Sequence, residues 1–367
     1  MNILHTVFSF NSGGIENLLV DIVNNWNEKK DNLIICVINN DYNIDLINRI
    51  NNSSNCKVVL LNRNRGSKNI KFIYDYIKVI ITNKVDIIHC HLYEVLKIVL
   101  FAKIIKPKIK IYYTVHDTNI YRKFNKRAIA LQNIFVKKII AISEAVKKDI
   151  VARNNKCKIE VVPNAIDVNR FIYEKEISKY VSIGCIARIM PEKKGQDILI
   201  KAIKIVKEKY PNVKCYFAGE PKKGDEYELE KLKELVNNLD LQEDVIFLGN
   251  VNNIPKFLAK LDIFVLPSRY EGFGIVLLES MAAKVPVIAS KLEGPQEIIL
   301  DNKFGELFDV GDYKTLAQII IKLISNKNQK KINESYQYVK QYYNIDIINN
   351  KLKKIYYEGK NGYEFRK

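Results

Sequence analysis

Short runs of apolar, β-branched residues alternate along the chain with stretches in which apolar residues recur at the period of a helix. The first pattern predicts buried strands, and the second predicts helices that bury one face. In the first half the predicted strands are Asn2 to Phe8, Asn32 to Ile38, Lys57 to Leu61, Val85 to His89, Lys110 to Val115, Lys138 to Ile142 and Ile159 to Val162. In the second half they are Val181 to Ala187, Lys214 to Ala218, Val245 to Gly249, Ile263 to Leu266, Val285 to Ser290 and Gly305 to Phe308. Continuous βα alternation predicts an α/β protein with parallel sheets covered by helices on both faces, in two doubly wound domains.

The chain length also fits two domains, since 367 residues accommodate two at roughly 100 to 200 residues each. The break is predicted within Asn164 to Lys179, where the sequence becomes polar and loses its period. We place the N-terminal domain at 1–168 and the C-terminal domain at 169–345. A Lys- and Tyr-rich helix is predicted at 346–367.

Composition narrows the class of protein. Hydrophobic residues make up 47% and charged residues 27% of the chain, which excludes disordered, collagen-like and disulfide-framework proteins. The 59 Lys+Arg against 41 Asp+Glu give a net charge of +18. Such an excess favours nucleic acid, an anionic membrane or a phosphate-bearing substrate as the partner.

Most of that charge lies in residues 51–150, where 20 Lys/Arg and 6 Asp/Glu give +14. Interleaved with apolar residues, they predict a basic surface that docks on anionic lipid. A solvated basic face is the alternative, and nucleic acid is not expected because no recognition module is visible. The basic residues in question are Arg63, Arg65, Lys68, Lys71, Arg122, Lys123, Lys126, Arg127, Lys137 and Lys138.

The lack of a targeting signal and the cysteine spacing predict a cytoplasmic protein, and the basic surface predicts that it is peripheral on the inner face of the cytoplasmic membrane. The six cysteines form no CxxC pair, which predicts buried thiols in a reducing compartment and no structural zinc. The N-terminus lacks the basic region of a secretion signal. Lysines interrupt every apolar stretch before the ~20 residues that a spanning helix needs.

Two glycines follow the first predicted strand. Gly13-Gly14 precede Ile15-Glu16-Asn17, where a helix is predicted to begin. A strand, a glycine turn and a helix N-terminus together expose backbone N–H groups and a positive dipole end, which attract phosphate. The GxGxxG fingerprint is missing, so a nicotinamide enzyme is not expected. A plain tight turn would also account for the two glycines.

The most informative stretch runs from Pro267 to Glu279. Its two glutamates, Glu271 and Glu279, lie eight positions apart, with Gly272 and Gly274 between them. The glycines let the chain turn out of the preceding strand, and the following helix directs free N–H groups at an anion. The two carboxylates can accept hydrogen bonds from sugar and ribose hydroxyls beside a diphosphate. The alternative is that Glu279 is a solvated helix residue.

Four segments, in this order, resemble those of retaining glycosyltransferases of family 4. They are Gly13-Gly14-Ile15-Glu16, Val161-Val162-Pro163-Asn164-Ala165-Ile166-Asp167, Arg188-Ile189-Met190-Pro191-Glu192-Lys193-Lys194-Gly195-Gln196-Asp197 and the Glu-x7-Glu element. The resemblance covers nearly the whole chain, and its opening is similar to bacterial exopolysaccharide and capsule glycosyltransferases. It implies a GT-B architecture, in which two Rossmann-like domains face a central cleft that holds a nucleotide sugar. It also implies an acceptor-side first domain, on which the C-terminal helix packs back.

The resemblance implies a role for each matching residue after the eleventh predicted strand. Glu271 contacts sugar hydroxyls of the donor and takes part in catalysis, and Glu279 contacts the ribose hydroxyls. Phe273 and Gly274, with Gly272 in the same turn, offer backbone N–H groups to the diphosphate.

Basic residues complete the implied donor site. Arg188 and Lys194 neutralise the diphosphate and stabilise the leaving group, a catalytic role. Lys193 is adjacent, but Lys194, directly before the glycine, is the better match. The remaining donor-binding candidates are Gly13, Gly14 and Asn250.

Histidines mark two strand ends. His116 follows the strand Lys110 to Val115, and the resemblance gives it a catalytic role near the anomeric carbon of the donor. A strand-end histidine without function is the alternative. His89 and His91 flank a cysteine, but no carboxylate partner is evident, so no metal site is predicted. His91 and Ser143 are candidates for acceptor contacts, although an N-cap role alone would account for Ser143.

The reaction implied is transfer of a sugar from a nucleoside diphosphate sugar, UDP before GDP, to a hydroxyl of a growing, lipid-linked surface polysaccharide. No DxD triplet occurs, so neither a metal ion nor another cofactor is expected. Retention without an evident carboxylate nucleophile favours front-face attack, with Glu271 as the alternative participant. A nucleotide-sugar 2-epimerase and a catalytically silent subunit of a polysaccharide assembly complex remain as other functions. Intact Glu271, Glu279, Arg188 and Lys194 disfavour the silent subunit.

Overall fold

The computed structural model describes residues 1–11, 13–50, 55–118, 120–153, 155–176 and 178–358, with only the backbone of Arg122. The chain divides into two compact units. Unit 1 comprises Met1–Ala165 and Ile345–Lys367, and unit 2 comprises Ile166–Asn344. The first division falls after Ala165 and not after residue 168, because Ile166 N donates to Tyr343 O over 3.1 Å and Ile166 pairs with Asn344.

Unit 1 is an α/β fold built almost entirely from alternating elements. Its strands are β1 (Asn2–Val7), β2 (Asn32–Asn39), β3 (Cys56–Arg63), β4 (Ile87–Cys90), β5 (Lys110–Val115), β6 (Lys138–Ala141) and β7 (Ile159–Val161). Its helices are α1 (Gly14–Asn24), α2 (Ile44–Asn48), α3 (Lys71–Thr82), α4 (Tyr93–Ile105), α5 (Lys126–Phe135), α6 (Glu144–Ala152) and α15 (Ile345–Tyr357), with a 3-10 turn at Tyr121–Lys123. Residues 359–367 of the predicted C-terminal helix lie outside the described residues.

The seven strands of unit 1 form a parallel sheet in the order β3-β2-β1-β4-β5-β6-β7. The order reverses direction between β1 and β4, so right-handed crossovers place the helices of the two halves on opposite faces. The helix α15 closes this unit, since Asn349 Nδ2 donates to Ile22 O in α1 and Tyr112 Oη donates to Ile355 O, each over 3.1 Å.

Unit 2 repeats the plan. Its strands are β8 (Val181–Ile186), β9 (Val213–Ala218), β10 (Val245–Gly249), β11 (Ile263–Leu266), β12 (Val287–Ser290) and β13 (Glu306–Phe308). Its helices are α7 (Pro191–Lys194), α8 (Gln196–Lys209), α9 (Tyr227–Asn238), α10 (Ile254–Leu258), α11 (Ile275–Ala282), α12 (Glu293–Ile299), α13 (Tyr313–Ser325) and α14 (Gln329–Tyr342), with a 3-10 turn at Val168–Phe171.

The sheet of unit 2 is also parallel, in the order β10-β9-β8-β11-β12-β13. Apolar faces of α8 and α13 pack together over it, around residues such as Ile203, Leu316 and Phe217 that are at most 1% exposed. Both sheets confirm the predicted pair of doubly wound α/β domains, and each predicted strand is present within a few residues of its predicted ends. In both sheets the strand order reverses beside the first strand of the unit, which is where such folds bind ligands.

Candidate functional site

The polar residues predicted in unit 2 lie on the loops that leave β8 and β11. These strands are neighbours in the sheet, and the strand order reverses between them. Parallel strands end at the same edge, so the loop with Arg188 and Lys194 meets the loop with Glu271. Arg269 N and Tyr270 N both donate to Lys193 O, over 2.9 and 3.2 Å, and thereby join the two loops.

Lys194 and Glu271 form an ion pair at this edge. Lys194 Nζ lies 2.7 Å from Glu271 Oε2, and the side chains are 22% and 16% exposed. Ser268 Oγ donates to the same oxygen over 3.4 Å. An ammonium has three donors and a carboxylate has two oxygens, so Lys194 can still reach an anion while Glu271 Oε1 remains able to accept from a hydroxyl.

A second ion pair, which sequence reasoning missed, joins the loop after β11 to the start of α8. Arg269 donates from Nη1 and Nη2 to the two carboxylate oxygens of Asp197, over 2.7 and 2.8 Å, and also to Pro191 O over 2.7 Å. The hydrogen bonds with the Asp197 carboxylate raise the pKa of the Arg269 guanidinium. The bidentate pair ties the β11 loop to the start of α8 and so holds Lys194 next to Glu271.

Gly195 and Gly274 allow the two loops to approach each other. Gly195 has φ +66° and ends α7, and a Cβ there would lie 1.9 Å from Pro267 O. Gly274 has φ +93° and is the N-cap of α11. Glu279 lies within α11 and is half-buried, and Phe273 is buried at 3% exposure. The predicted glycine turn and helix start are therefore present next to the Lys194–Glu271 pair.

The other donor-site candidates of unit 2 lie on neighbouring loops. Arg188 has an exposed side chain, and its carbonyl accepts from Gln196 Nε2 over 2.8 Å. Asn250 follows β10 and donates from Nδ2 to Glu220 Oε2 over 2.7 Å. Glu220 O in turn accepts from Ile189 N over 3.0 Å, so this acidic residue links the β8 loop to Asn250.

In unit 1 the predicted glycine turn lies at the start of α1. Gly13 is the N-cap, in an extended conformation, and Gly14 is the first helical residue. A Cβ added to Gly13 would lie 2.4 Å from Glu16 Oε2, so the Glu16 carboxylate folds against the glycine. The phosphate-binding role of Gly13 and Gly14 stays a prediction.

Three histidines of unit 1 form a hydrogen-bonded chain. His5 Nδ1 lies 3.0 Å from His91 Nε2, and His91 Nδ1 lies 3.0 Å from His116 Nε2. His5 is in β1, while His91 and His116 directly follow β4 and β5, the next strands in the sheet. His5 is 0% and His91 3% exposed, whereas His116 is partly exposed.

The fourth histidine supports this chain. His89 pairs in register with His5, and its ring lies 4.5 Å from the His91 ring in a stacked arrangement. His89 Nε2 and Thr114 Oγ1 are 2.6 Å apart, and His89 Nδ1 is hydrogen-bonded to the Tyr356 hydroxyl of α15. These two contacts fix the plane of the His89 ring, against which His91 stacks.

The histidine cluster also has the spacing of a metal site. One nitrogen each of His5, His89 and His91 lie within 4.8 Å of one another, the one such group found among the described residues. An ion there would have to replace hydrogen bonds that both nitrogens of His89 and His91 already make. The cluster is therefore best described as a hydrogen-bonded network.

Burial keeps the cluster neutral. Desolvation lowers the pKa of His5 and of His116 to about 4. It lowers the pKa of His89 and of His91 well below the ordinary value, and repulsion from the neighbouring histidines adds to the effect.

The stability of unit 1 should therefore fall as the pH drops from 7 to 5. An unfolded chain takes up protons near pH 6.5, whereas the folded histidines do so only at lower pH, so acid favours unfolding. Each differentially titrating histidine contributes about 1.4 kcal/mol per pH unit. All four histidines of the protein belong to the cluster, and Trp26, its one tryptophan, lies 6.0 Å from the Tyr356 ring. Urea unfolding followed by Trp26 fluorescence at pH 7, 6 and 5 measures the effect; an unchanged free energy of unfolding would contradict it.

Ser143 and Lys138 have structural partners. Ser143 is fully buried, and its Oγ accepts from Val146 N over 3.1 Å as the N-cap of α6. Both nitrogens of His91 are engaged by histidines, so these contacts account for the two acceptor candidates without an acceptor. Lys138, predicted to be on a basic surface, is 7% exposed and pairs with Glu160 and Glu358 over 3.1 and 3.0 Å. It is the first residue of β6, a strand whose four residues are all buried.

Two further predictions concern the cysteines, which were expected to be buried thiols, and the helices, none of which was expected to span a membrane. All six thiols are free, and four of them are buried. The exceptions are Cys56 and Cys157, which are half-buried. No described helix is both long enough and apolar enough to span a membrane.

Family models match both units of the chain. A model described as "Glycosyltransferase Family 4" matches residues 12–170, and one described as "Glycosyl transferases group 1" matches residues 168–342. The chain belongs to glycosyltransferase family 4, and its two parallel sheets are the two Rossmann-like domains of a GT-B fold.

Individual relatives agree with this assignment. The capsular polysaccharide biosynthesis glycosyltransferase CapM of Staphylococcus aureus is 30% identical over 205 residues, 52% of this chain and 53% of CapM. A GDP-mannose-dependent phosphatidylinositol monomannoside mannosyltransferase of Mycolicibacterium smegmatis is 29% identical, over 46% and 47% of the two chains. The matches thus span about half the length of these relatives. The fold is that of Anabaena HepE in complex with UDP-glucose, with a TM-score of 0.82 at 22% identity over 97% and 99% of the two chains.

Proposed function

We propose that the protein is a retaining, metal-independent hexosyltransferase. It moves a sugar from a nucleoside diphosphate sugar, UDP-linked, to a hydroxyl of a growing, lipid-linked surface polysaccharide. The observation that carries the proposal is the Lys194–Glu271 pair at 2.7 Å, at the carboxyl ends of β8 and β11. A cation next to a carboxylate at this point of the fold suits a ligand with both a diphosphate and sugar hydroxyls.

The proposal assigns a role to each donor-site residue at the carboxyl ends of β8 and β11. Lys194 and Arg188 bind the diphosphate and stabilise the charge that develops on the leaving group. The N-terminus of α11, beside Phe273 and Gly274, adds backbone N–H groups to the same anion. Glu271 accepts from sugar hydroxyls and Glu279 from the ribose.

The chemical step is a front-face substitution. The bond from the anomeric carbon to the diphosphate oxygen breaks, and a bond from that carbon to the acceptor oxygen forms on the same face. The acceptor proton passes to the departing phosphate oxygen, so the products are a nucleoside diphosphate and a lengthened glycan. His116 touches the donor sugar, and Lys194 stabilises the negative charge on the departing group.

Relatives support the choice of donor and acceptor. HepE is described in complex with UDP, UDP and glucose, and UDP-glucose, whereas the Mycolicibacterium smegmatis relative is GDP-mannose-dependent. UDP is proposed because the chain matches HepE over nearly its whole length. A surface polysaccharide is proposed as acceptor because CapM is named for capsular polysaccharide biosynthesis.

The test is nucleotide release from a panel of UDP-, GDP- and ADP-sugars, with lipid-extracted membranes as the acceptor source. We expect turnover of one donor that depends on membranes and is unchanged by EDTA, because the protein's own cations hold the diphosphate. Loss of turnover in EDTA, restored by Mg²⁺ or Mn²⁺, would refute metal independence. Donor isomerisation without transfer would indicate an epimerase, and no nucleotide binding at all would indicate a silent subunit.

A membrane-docking surface on unit 1 forms part of the proposal. Ile70 and Tyr74 are 73% and 69% exposed, and Lys68 and Lys71 next to them are exposed as well. Exposed apolar side chains among lysines suit a peripheral contact with the inner face of the cytoplasmic membrane.

Replacing both Lys68 and Lys71 by glutamine should weaken co-sedimentation with anionic vesicles. Each lysine near an anionic surface contributes about 1 kcal/mol, so the partition coefficient should fall roughly 30-fold in the double variant. Lys231→Gln, on an exposed face of unit 2, is the matched control. Equal binding of all three proteins, or equal binding to neutral phosphatidylcholine vesicles, would count against docking through this surface.

A further inference from the structure

Five polar side chains connect three loops at the carboxyl edge of the unit 1 sheet. Asn11 follows β1, Asn40 and Asp41 follow β2, and Asn64 and Arg65 follow β3. Asn40 Nδ2 donates to Asn64 Oδ1 over 2.8 Å, and Asn11 Nδ2 donates to Asp41 Oδ1 over 2.7 Å. Arg65 Nη1 lies 3.9 Å from Asp41 Oδ2. These five residues are called the amide cluster below.

Backbone hydrogen bonds fix the three loops to one another. Phe10 N donates to Asp41 O over 3.0 Å and Asn43 N donates to Phe10 O over 2.8 Å, so the loops after β1 and β2 stay paired beyond their strands. Asn40 N donates to Arg63 O over 2.9 Å and joins the loop after β2 to the end of β3. The amide cluster therefore stands on a fixed backbone, which reduces the entropy lost when its side chains bind a ligand.

The asparagines of the amide cluster differ from ordinary loop asparagines. Asparagine is common in loops because its side chain usually bonds to nearby backbone. Two asparagines close by do so: Asn43 Oδ1 accepts from Asp45 N over 2.8 Å, and Asn69 Oδ1 accepts from Lys71 N over 2.9 Å. The asparagines of the amide cluster bond instead to side chains of other loops. Turn formation thus accounts for Asn43 and Asn69 but not for the amide cluster.

The amide cluster is open to solvent and keeps capacity for further hydrogen bonds. Asn11, Asn40 and Asn64 are exposed, and the side chains of Arg65 and Asp41 are 67% and 39% exposed. Asn64 uses its oxygen for Asn40, and among the described residues its Nδ2 has no partner, so two N–H groups can reach a ligand. Donors and acceptors placed close together suit sugar hydroxyls, each of which can donate one hydrogen bond and accept two.

Charge favours a glycan over a phosphate as the ligand. Arg65 and Asp41 are the charged members of the amide cluster and balance each other, whereas a diphosphate needs uncompensated positive charge. The acceptor candidates Ser143 and His91 are engaged with structural partners. Contacts to a hydroxyl-rich acceptor are therefore better sought at the amide cluster.

We propose that the amide cluster binds the glycan of the acceptor, with Asn64 donating from Nδ2 to a sugar hydroxyl. The inference rests on the proposed function, in which the acceptor is a lipid-linked polysaccharide. The loop after β3 then serves both parts of the acceptor. Lys68, the first residue of the docking surface, is three positions after Arg65, at most about 11 Å along the chain. A glycan can thus contact the amide cluster while its lipid stays in the membrane.

The test replaces two asparagines of this loop separately by aspartate. Asn64→Asp keeps an oxygen that accepts from Asn40 Nδ2 but removes both N–H groups. Asn69→Asp is the matched control, because it adds the same charge to the same loop and keeps the oxygen that accepts from Lys71 N. Both asparagines are exposed. A difference between the two variants therefore reports the N–H groups of Asn64 and not the added charge.

The rate of nucleotide release is measured while lipid-extracted membranes are varied at saturating donor, and while the donor is varied at saturating membranes. Asn64→Asp should need about tenfold more membrane extract than Asn69→Asp for a half-maximal rate, because one or two hydrogen bonds to hydroxyls are lost. The KM for the donor should stay within about twofold of wild type in both variants. A role limited to joining the loops predicts equal variants, since both keep their internal hydrogen bond.

Three results would overturn the inference. The first is an equal requirement for membrane extract in the two variants. The second is a raised donor KM in Asn64→Asp, which would assign the amide cluster to the donor sugar. The third is a tenfold weaker co-sedimentation of Asn64→Asp than of Asn69→Asp with glycan-free anionic vesicles, which would assign it to lipid headgroups. Failure of the proposed function is distinct, because the wild type would then release no nucleotide from any donor, and the inference would fall with it.

Discussion

Lys194→Ala is expected to lower the rate of sugar transfer about 100- to 1000-fold, mainly through kcat. The ammonium is proposed to stabilise charge that forms on the diphosphate as the glycosidic bond breaks, and removing one such preorganised group typically has an effect of about this size. The stability of the fold should change by no more than about 1 kcal/mol, because the Lys194–Glu271 pair is partly exposed. Initial rates of nucleotide release and a thermal melt measure the two effects.

Lys193→Ala is the matched control for this prediction. Its carbonyl, which accepts from Arg269 N and Tyr270 N, remains in the alanine variant, so the junction of the two loops is kept. Turnover of Lys193→Ala should stay within about threefold of wild type, because the proposal gives the Lys193 side chain no contact with the diphosphate. Lys194→Arg keeps the charge but not the geometry and should recover part of the rate. If Lys194→Ala and Lys193→Ala lost activity equally, Lys194 would have no special role at the diphosphate.

Gly195→Ala is expected to destabilise unit 2 by about 3 kcal/mol or more. Two causes act together: φ is +66°, and the new Cβ would lie 1.9 Å from Pro267 O. Because a backbone oxygen cannot move aside as a flexible side chain can, the β8 and β11 loops would have to separate. Urea unfolding followed by circular dichroism measures the loss.

Gly311→Ala separates the two causes. Gly311 also has a positive φ, +89°, but an added Cβ meets no atom within 4 Å. Gly311→Ala should therefore lower the free energy of unfolding only by the cost of a left-handed backbone at alanine, about 1–2 kcal/mol. The difference between the two variants measures the close approach at Pro267, and equal losses would mean that the loops tolerate the methyl group. Fluorescence of Trp26, which is in unit 1, should change less than the circular dichroism signal.

The strands could be predicted from the sequence because parallel strands buried on both faces appear as continuous apolar runs. The predicted strands also place Lys194 and Glu271 on loops at the same edge of a parallel sheet. That these two loops are neighbours follows from the strand order, in which β8 lies beside β11. The Arg269–Asp197 pair could not be predicted. Both residues lie in motifs that the sequence analysis identified, but their contact depends on how two loops fold against each other.

The histidine chain could not be predicted from the sequence for another reason. His5 and His91 are 86 positions apart, and their contact depends on the register of β1 against β4. Register is set by the packing of the whole sheet, so no local pattern around His5 indicates its partner. Lys138 illustrates the opposite error. Lys137 is exposed, but Lys138 begins a strand whose four residues are all buried, so basic residues that are neighbours in the sequence do not share one surface.

The division of unit 1 by unit 2 has a consequence for biosynthesis. Unit 1 needs α15, whose Tyr357 Oη donates to Asp31 over 2.6 Å and whose Asn349 reaches α1. Ribosomes make the chain from its N-terminus at about 5–20 residues per second, so residues 1–165 wait roughly 10 to 40 s while residues 166–344 are made. Unit 2, which is continuous in sequence, can complete its core first. During that interval the apolar surface that α15 later covers is open to water, so this is the stage of synthesis at which a nascent chain most needs a chaperone.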